Sequence, residues 1–241
     1  MRAAHQMTNR SRQLRHIAIA AALFCMLGPA IAQNGKETAF PSMRPAVEYR
    51  MASRSDEIAL ARSAAPASIS SDAEVLVLGE RGYEVAVKGK NGFVCLVERS
   101  WFAPFDDPVF WNPSIRGPDC LNPAAVSTVL PINLERTRWA LAGVSKAEML
   151  VRSRSSAAAR QAPAPGALGY MMSKQGHLSD VAGHWHPHLM FFQPHSTMSA
   201  WGANLPGSPV MGQEGSPSEA TVFFVVVGEW SDGTSASTEM R

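Results

Sequence analysis

The sequence predicts an α+β fold: one mostly antiparallel sheet of about six strands with helices packed on one face, and one disulfide. Three observations predict it. Short apolar or alternating runs fall into two groups of three, one before residue 99 and one after residue 167. Segments with apolar residues at helical spacing, opened by capping residues, precede the first group and separate it from the second. Two cysteines, Cys95 and Cys120, remain once an N-terminal leader is set aside, and two thiols in an oxidising compartment pair.

The leader comes first in the chain. Arg2, Arg10, Arg12 and Arg15 precede an apolar run from Ile17 to Leu27, Gly28-Pro29 breaks it, and Ala30-Ile31-Ala32 supplies the small residues of a cleavage site. Positive region, short apolar region and A-x-A site make the signal-peptide pattern, so residues 1–32 are expected to be cleaved. The apolar run is too short for the roughly 20 residues that span a bilayer. The expected product is exported, to the periplasm or the medium, with no membrane span after cleavage. Residues 33–44 read as a flexible leader, 45–230 as a single α+β domain and 231–241 as a disordered tail.

The elements follow in order. Pro45, then Val47, Met51, Ile58, Ala61 and Ala65 at helical spacing, and Pro66 as terminator, predict a helix over 46–64, with a break where Ser53 and Asp56 cap a second start. Glu74–Leu78, Tyr83–Lys88 and Phe93–Glu98 read as strands. Gly79-Glu80-Arg81-Gly82 links the first two, and Asn91-Gly92 is a hairpin signal before the third, so an antiparallel meander is expected. Residues 99–122 are irregular and aromatic: Trp101, Phe102, Phe105, Phe110 and Trp111 lie among prolines. Such a stretch packs over the sheet as a lid, lines a binding surface, or fills the open end of the core. Asn122-Pro123 opens a short helix to about Leu130, a second runs from about Ile132 to Ala142, and the capping box at Ser145–Glu148 opens a third to about Ala159. Leu168–Lys174, His188–Gln193 and Thr221–Glu229 are the later strands. The last is apolar on both faces, as a central strand is, and 199–219 reads as loop.

Composition narrows the function. Of 22 basic residues four leave with the leader, so 18 face 20 acidic ones in the product. That balance gives no basic excess for a phosphate backbone, and nucleic acid is not an expected partner. Gly-x-Ser-x-Gly, His-Glu-x-x-His, Cys-x-x-Cys and glycine-rich phosphate loops do not occur.

One cluster carries chemistry. His177, His184, His186, His188 and His195 are the five histidines left after cleavage, and Gly183-His184-Trp185-His186-Pro187-His188 forms its centre. Spacing of two puts alternate side chains on one face of an extended segment. His184, His186 and His188, with His177 near enough to help, are therefore the candidate ligands of a divalent metal, with zinc ranked above copper. The same residues also suit hydrogen-bonding roles beside Trp185, Phe191 and Phe192, or metal-free acid–base work. Trp101, Trp111 and Trp185 are the binding-surface candidates.

The runs Glu57–Pro66, Gly89–Cys95 and Trp111-Asn112-Pro113 resemble those of uncharacterised exported bacterial proteins. The resemblance implies export from a bacterial cell and carries no activity, cofactor or site residue. Two functions from different classes stand: an exported domain that binds a ligand or partner, and a zinc-dependent hydrolase using His184, His186 and His188.

Overall fold

A computed structural model of the chain describes residues 40–156, 161–178, 186–213 and 220–236. The leader, His184 and Trp185 lie outside the described residues. Five α-helices and eight strands occur among those described.

The N-terminal helix is broken where its sequence predicts. A 3₁₀ turn, Ala46–Tyr49, precedes α1 (Arg54–Arg62), and the Ser53 hydroxyl accepts from the Asp56 amide at 3.2 Å. A single turn, α2 (Ala67–Ser70), follows Pro66. After β1 (Glu74–Leu78), β2 (Tyr83–Val87), β3 (Val94–Glu98) and β4 (Gly117–Leu121) come α3 (Pro123–Thr128), α4 (Leu130–Leu141) and α5 (Lys146–Ser155). Asn122 caps α3 by accepting from the Ala125 amide at 2.9 Å, and Ser145 caps α5 by accepting from Glu148 at 3.2 Å. The chain closes with β5 (Leu168–Met171), β6 (His188–Gln193), β7 (Val210–Gln213) and β8 (Thr221–Val226).

All eight strands form one sheet in the order β2-β1-β3-β4-β5-β6-β8-β7. Every pairing is antiparallel except β1 with β3, so the sheet is mixed and two strands larger than expected. The added strands are β4, whose Pro118 argues locally against a strand, and β7, four residues set among glycines and prolines. β8 is one strand in from the edge rather than central, and its Val226 is exposed.

The expected meander is also corrected. β1 lies between β2 and β3, and the 88–93 link crosses the start of β1 instead of closing a hairpin. In that crossing the Lys90 amide donates to Asp72 O at 2.7 Å and the Glu74 amide to Phe93 O at 2.9 Å. A Cβ on Gly89 would lie 2.2 Å from the Glu74 nitrogen, so only glycine lets the crossing pass. The Asn91 side chain accepts from Phe93 N and donates to Ile69 O, which turns the chain locally without pairing two strands.

Helices cover both faces, not one. Val75, Cys95, Val97 and Cys120 point to α1 and pack with Leu60, Ala61, Ala64 and Ala65. Their alternates Leu76, Val94, Leu96 and Leu121 pack with Ala125, Val129 and Leu130 of the α3–α4 layer. Cys95 and Cys120 are directly opposed on β3 and β4, with Cα atoms 4.0 Å apart and sulfurs at disulfide distance.

Both ends of the domain are tied in beyond the expected bounds. Phe40 and Met43, in the expected leader, pack against the aromatic cluster. Residues 231–236, in the expected tail, are held by Lys174–Asp232 at 2.7 Å and by Ser231, whose hydroxyl donates to Ser63 O. No helix among the described residues is long and apolar enough to cross a membrane.

Candidate functional site

Two of the three tryptophans expected at a binding surface, Trp101 and Trp111, are interior, and the third, Trp185, lies outside the described residues. Trp101 is fully buried, its ring 4.9 Å from Tyr49 and its Nε1 donating to Thr137 Oγ1 at 3.0 Å. Trp111 is buried edge-on against Phe110, which stacks on Phe105. Residues 99–116 therefore fill the end of the core, as a third cluster with Leu78, Ala140 and Met149. β3 and β4 pair antiparallel, so the connection between them turns back at that end of the sheet, and its apolar rings are buried there against Leu78, Ala140 and Met149.

The histidines are partly separated. His188 opens β6 and is buried, with its ring edge-on to Phe224 at 5.6 Å. Its Nδ1 lies 2.7 Å from the His186 carbonyl oxygen, which leaves Nε2 as the lone-pair nitrogen of a neutral ring. Burial pushes the His188 ring below the usual imidazole range, with the His186 carbonyl contact partly opposing and the His186 ring adding to the fall. His177 lies across from Arg116, each amide donating to the other's carbonyl at 2.8 Å, beyond the end of β5. No group of three His, Cys, Asp or Glu side chains among the described residues is arranged to hold a metal.

A cleft of about 620 Å³ opens elsewhere, between the β1–β2 turn and α4. Gly79 to Gly82 form one wall, closed by the Gly79 amide on Gly82 O at 2.9 Å. Tyr83 and Glu84 of β2, Leu134 and Arg138 of α4, and Arg50 from the segment before α1 complete it. Gly82 has φ +144°, a conformation an L side chain resists, and it lies beside the Arg138 stem. Arg50 pairs with Glu80 at 3.6 Å, and Glu84 is taken by Arg54. Arg81 and Arg138 have no ion-pair partner among the described residues. The floor is Tyr83, whose hydroxyl donates to Val97 O and whose ionisation burial opposes. In the sequence the turn registers only as a strand connector. The signal within reach was Arg138, a cation on a helix face that the sheet's edge strand brings next to Arg81.

Beneath the cleft the interior is charged. Arg99 and Glu57 are both buried and meet at 2.8 Å. Arg99 also donates to Tyr49 O at 2.6 Å and to Val97 O, while Glu57 Oε1 also accepts from the Leu78 amide at 3.1 Å. One ion pair thus ties α1, β1, β3 and the 3₁₀ turn together.

No protein-family model matches this chain, and neither a curated protein nor a solved structure matches it.

Proposed function

We propose that this is an exported bacterial binding domain that takes a small anionic ligand in the cleft between the β1–β2 turn and α4. The observation that carries the reading is the lining: Arg50, Arg81 and Arg138 border one concavity, and two of the three lack an ion-pair partner among the described residues. Guanidinium groups suit carboxylate or phosphate because their forked donors match two oxygens at once. Glu80 and Glu84 each have an arginine of their own, which lessens their repulsion of an anion. Export is supported by the signal-peptide pattern of residues 1–32 and by the Cys95–Cys120 pair at disulfide distance.

The test is calorimetric titration of the tag-free protein with citrate and with inorganic phosphate, at low and high salt. Saturable binding that weakens with salt and disappears in Arg81→Ala/Arg138→Ala supports the reading. Equal heats in wild type and variant would move the anion away from this cleft.

A second reading rests on a different observation. The His188 Nδ1 contact with a backbone carbonyl is the arrangement that aims Nε2 of an imidazole at a metal. With His184 and His186 it gives the zinc-hydrolase alternative, in which a bound zinc ion supplies Lewis acidity for hydrolysis. Elemental analysis and zinc titration of wild type beside His184→Ala/His186→Ala/His188→Ala decide it. Stoichiometric metal lost in the variant favours it, and no metal and no titration heat at micromolar zinc removes it.

A further inference from the structure

Two carboxyl groups on the α3–α4 face of the sheet have no role in the cleft. Asp119 of β4 is fully buried, and neither of its carboxylate oxygens has a hydrogen-bond partner among the described residues. Glu98 of β3 is its diagonal neighbour, because Leu96 pairs with Asp119 and Glu98 with Gly117. The walls are apolar. A Cβ on Gly169 would lie 2.6 Å from Asp119 Oδ1 and 3.1 Å from Met190 Cε, and one on Gly117 would meet Met171, Leu178 and Glu98. Leu96 and Leu121 share the face.

Among the described residues the charged and titratable groups around the pair are few. From α4 comes Arg136, whose guanidinium is committed to the Phe102 and Ala103 carbonyls and lies 4.3 Å above the Phe105 ring. From β2 comes Tyr83, which packs against the same apolar cluster and donates its hydroxyl to Val97 O. From β6 comes His188, on the same face by its alternation with Met190 and Phe192. The segment of α3 carries no titratable side chain, and Tyr170 of β5 packs on the opposite face with Phe93. An unpaired carboxylate in such surroundings costs several kcal/mol in effective desolvation, so the neutral acid is the stable form.

We propose that Glu98 and Asp119 form a proton-holding acid pair, and that the sheet is weakened when the pair loses its protons. Burial raises both carboxyls above the usual range; Glu98 adds to the rise at Asp119, the Cys120 N–H, near it but outside hydrogen-bond geometry, partly opposes it there, and Arg136 partly opposes it at Glu98. The sign follows by linkage. A carboxyl that holds its proton more tightly in the native state gives stability fully present at low pH. That stability is lost as pH rises past the unfolded carboxylate range near about 4. Each such proton can raise the unfolding constant by up to about tenfold per pH unit. This is the reverse of an ion-paired carboxylate.

The experiment is urea unfolding of the full chain, followed by tryptophan fluorescence, at intervals from pH 7 to pH 9, above the range in which His188 takes up its proton. The wild-type midpoint should fall with rising pH, and Asp119→Asn, which keeps the shape without the charge, should flatten that fall. Glu98→Gln, at a partly accessible position, is the second variant if Asp119→Asn fails to fold. Infrared spectra provide a second readout: a protonated carboxyl C=O band at pH 7 in wild type, diminished in a variant whose far-ultraviolet circular dichroism stays native. A flat wild-type profile, the same fall in both variants, or no carboxyl band at pH 7 would overturn the proposal.

Discussion

Breaking the Arg99–Glu57 pair should destabilise the fold more than any surface change. Glu57→Gln leaves the guanidinium buried with no counter-charge, facing only neutral oxygens at Tyr49, Val97 and the new amide, and Arg99→Met leaves a buried carboxylate with only the Leu78 amide. Removing one partner of a buried pair costs about 3–5 kcal/mol. At about 2–4 °C per kcal/mol for a domain of this size, that is a fall in Tm of about 6–20 °C. In urea, with a slope of about 2–3 kcal/mol per M, the midpoint should drop by about 1–2.5 M. Tryptophan fluorescence is the natural probe, because Trp101 packs against Tyr49, whose carbonyl Arg99 holds. The double variant Glu57→Leu/Arg99→Met should lose less than either single change, since it strands no charge. Single variants that shift the midpoint by less than about 0.3 M would refute the reasoning, as would a double variant whose loss equals the sum.

Three further predictions follow from the same structure. Cys95→Ser should cost about 3 kcal/mol, because the pair closes a loop of about 25 residues, and reducing agent should destabilise wild type but not the variant; unfolding with and without reductant checks it. Trp101→Ala should cost about 3–5 kcal/mol as a fully buried ring removed from the core, and Trp111→Ala a similar amount, whereas surface recognition residues would leave stability unchanged. His188, held below its ordinary range by burial, binds its proton less readily when native than when unfolded. Stability it contributes should therefore fall as pH drops through about 6.5 and below, and His188→Gln should flatten that limb of the unfolding profile.

How far the sequence could be read depended on whether the signal was local. Ser53, Asn122 and Ser145 are caps because a side-chain oxygen answers an amide two or three residues on, and all three act so. Six strands show in apolar runs, and all six are present. The order of strands does not show: β3 pairs in parallel with β1 through a crossing that Gly89 permits, and Asn91-Gly92 produces the same local turn in either topology. β4 was hidden by Pro118, although the cysteine pair held a hint, since a cysteine opposite Cys95 must itself lie on an extended segment. Trp101 and Trp111 look alike in a core and on a recognition surface when seen in sequence, and only burial separates them.

Acidic residues are the hardest to place, because nothing in the sequence around Glu57, Glu98 or Asp119 separates a buried carboxyl from an exposed one. Their fates differ through what lies opposite. Glu57 faces a guanidinium at 2.8 Å and an amide, so neutralising it strands Arg99. Asp119 faces Gly169, Met190 and a second acid, so neutralising it strands nothing. The same carboxyl-to-amide change should therefore have opposite signs at pH 8: Glu57→Gln loses stability, while Asp119→Asn keeps or gains it. Burial alone predicts equal damage at both positions. A measured difference in sign would place the cause in the partner, because both side chains lie inside the same sheet-and-helix core.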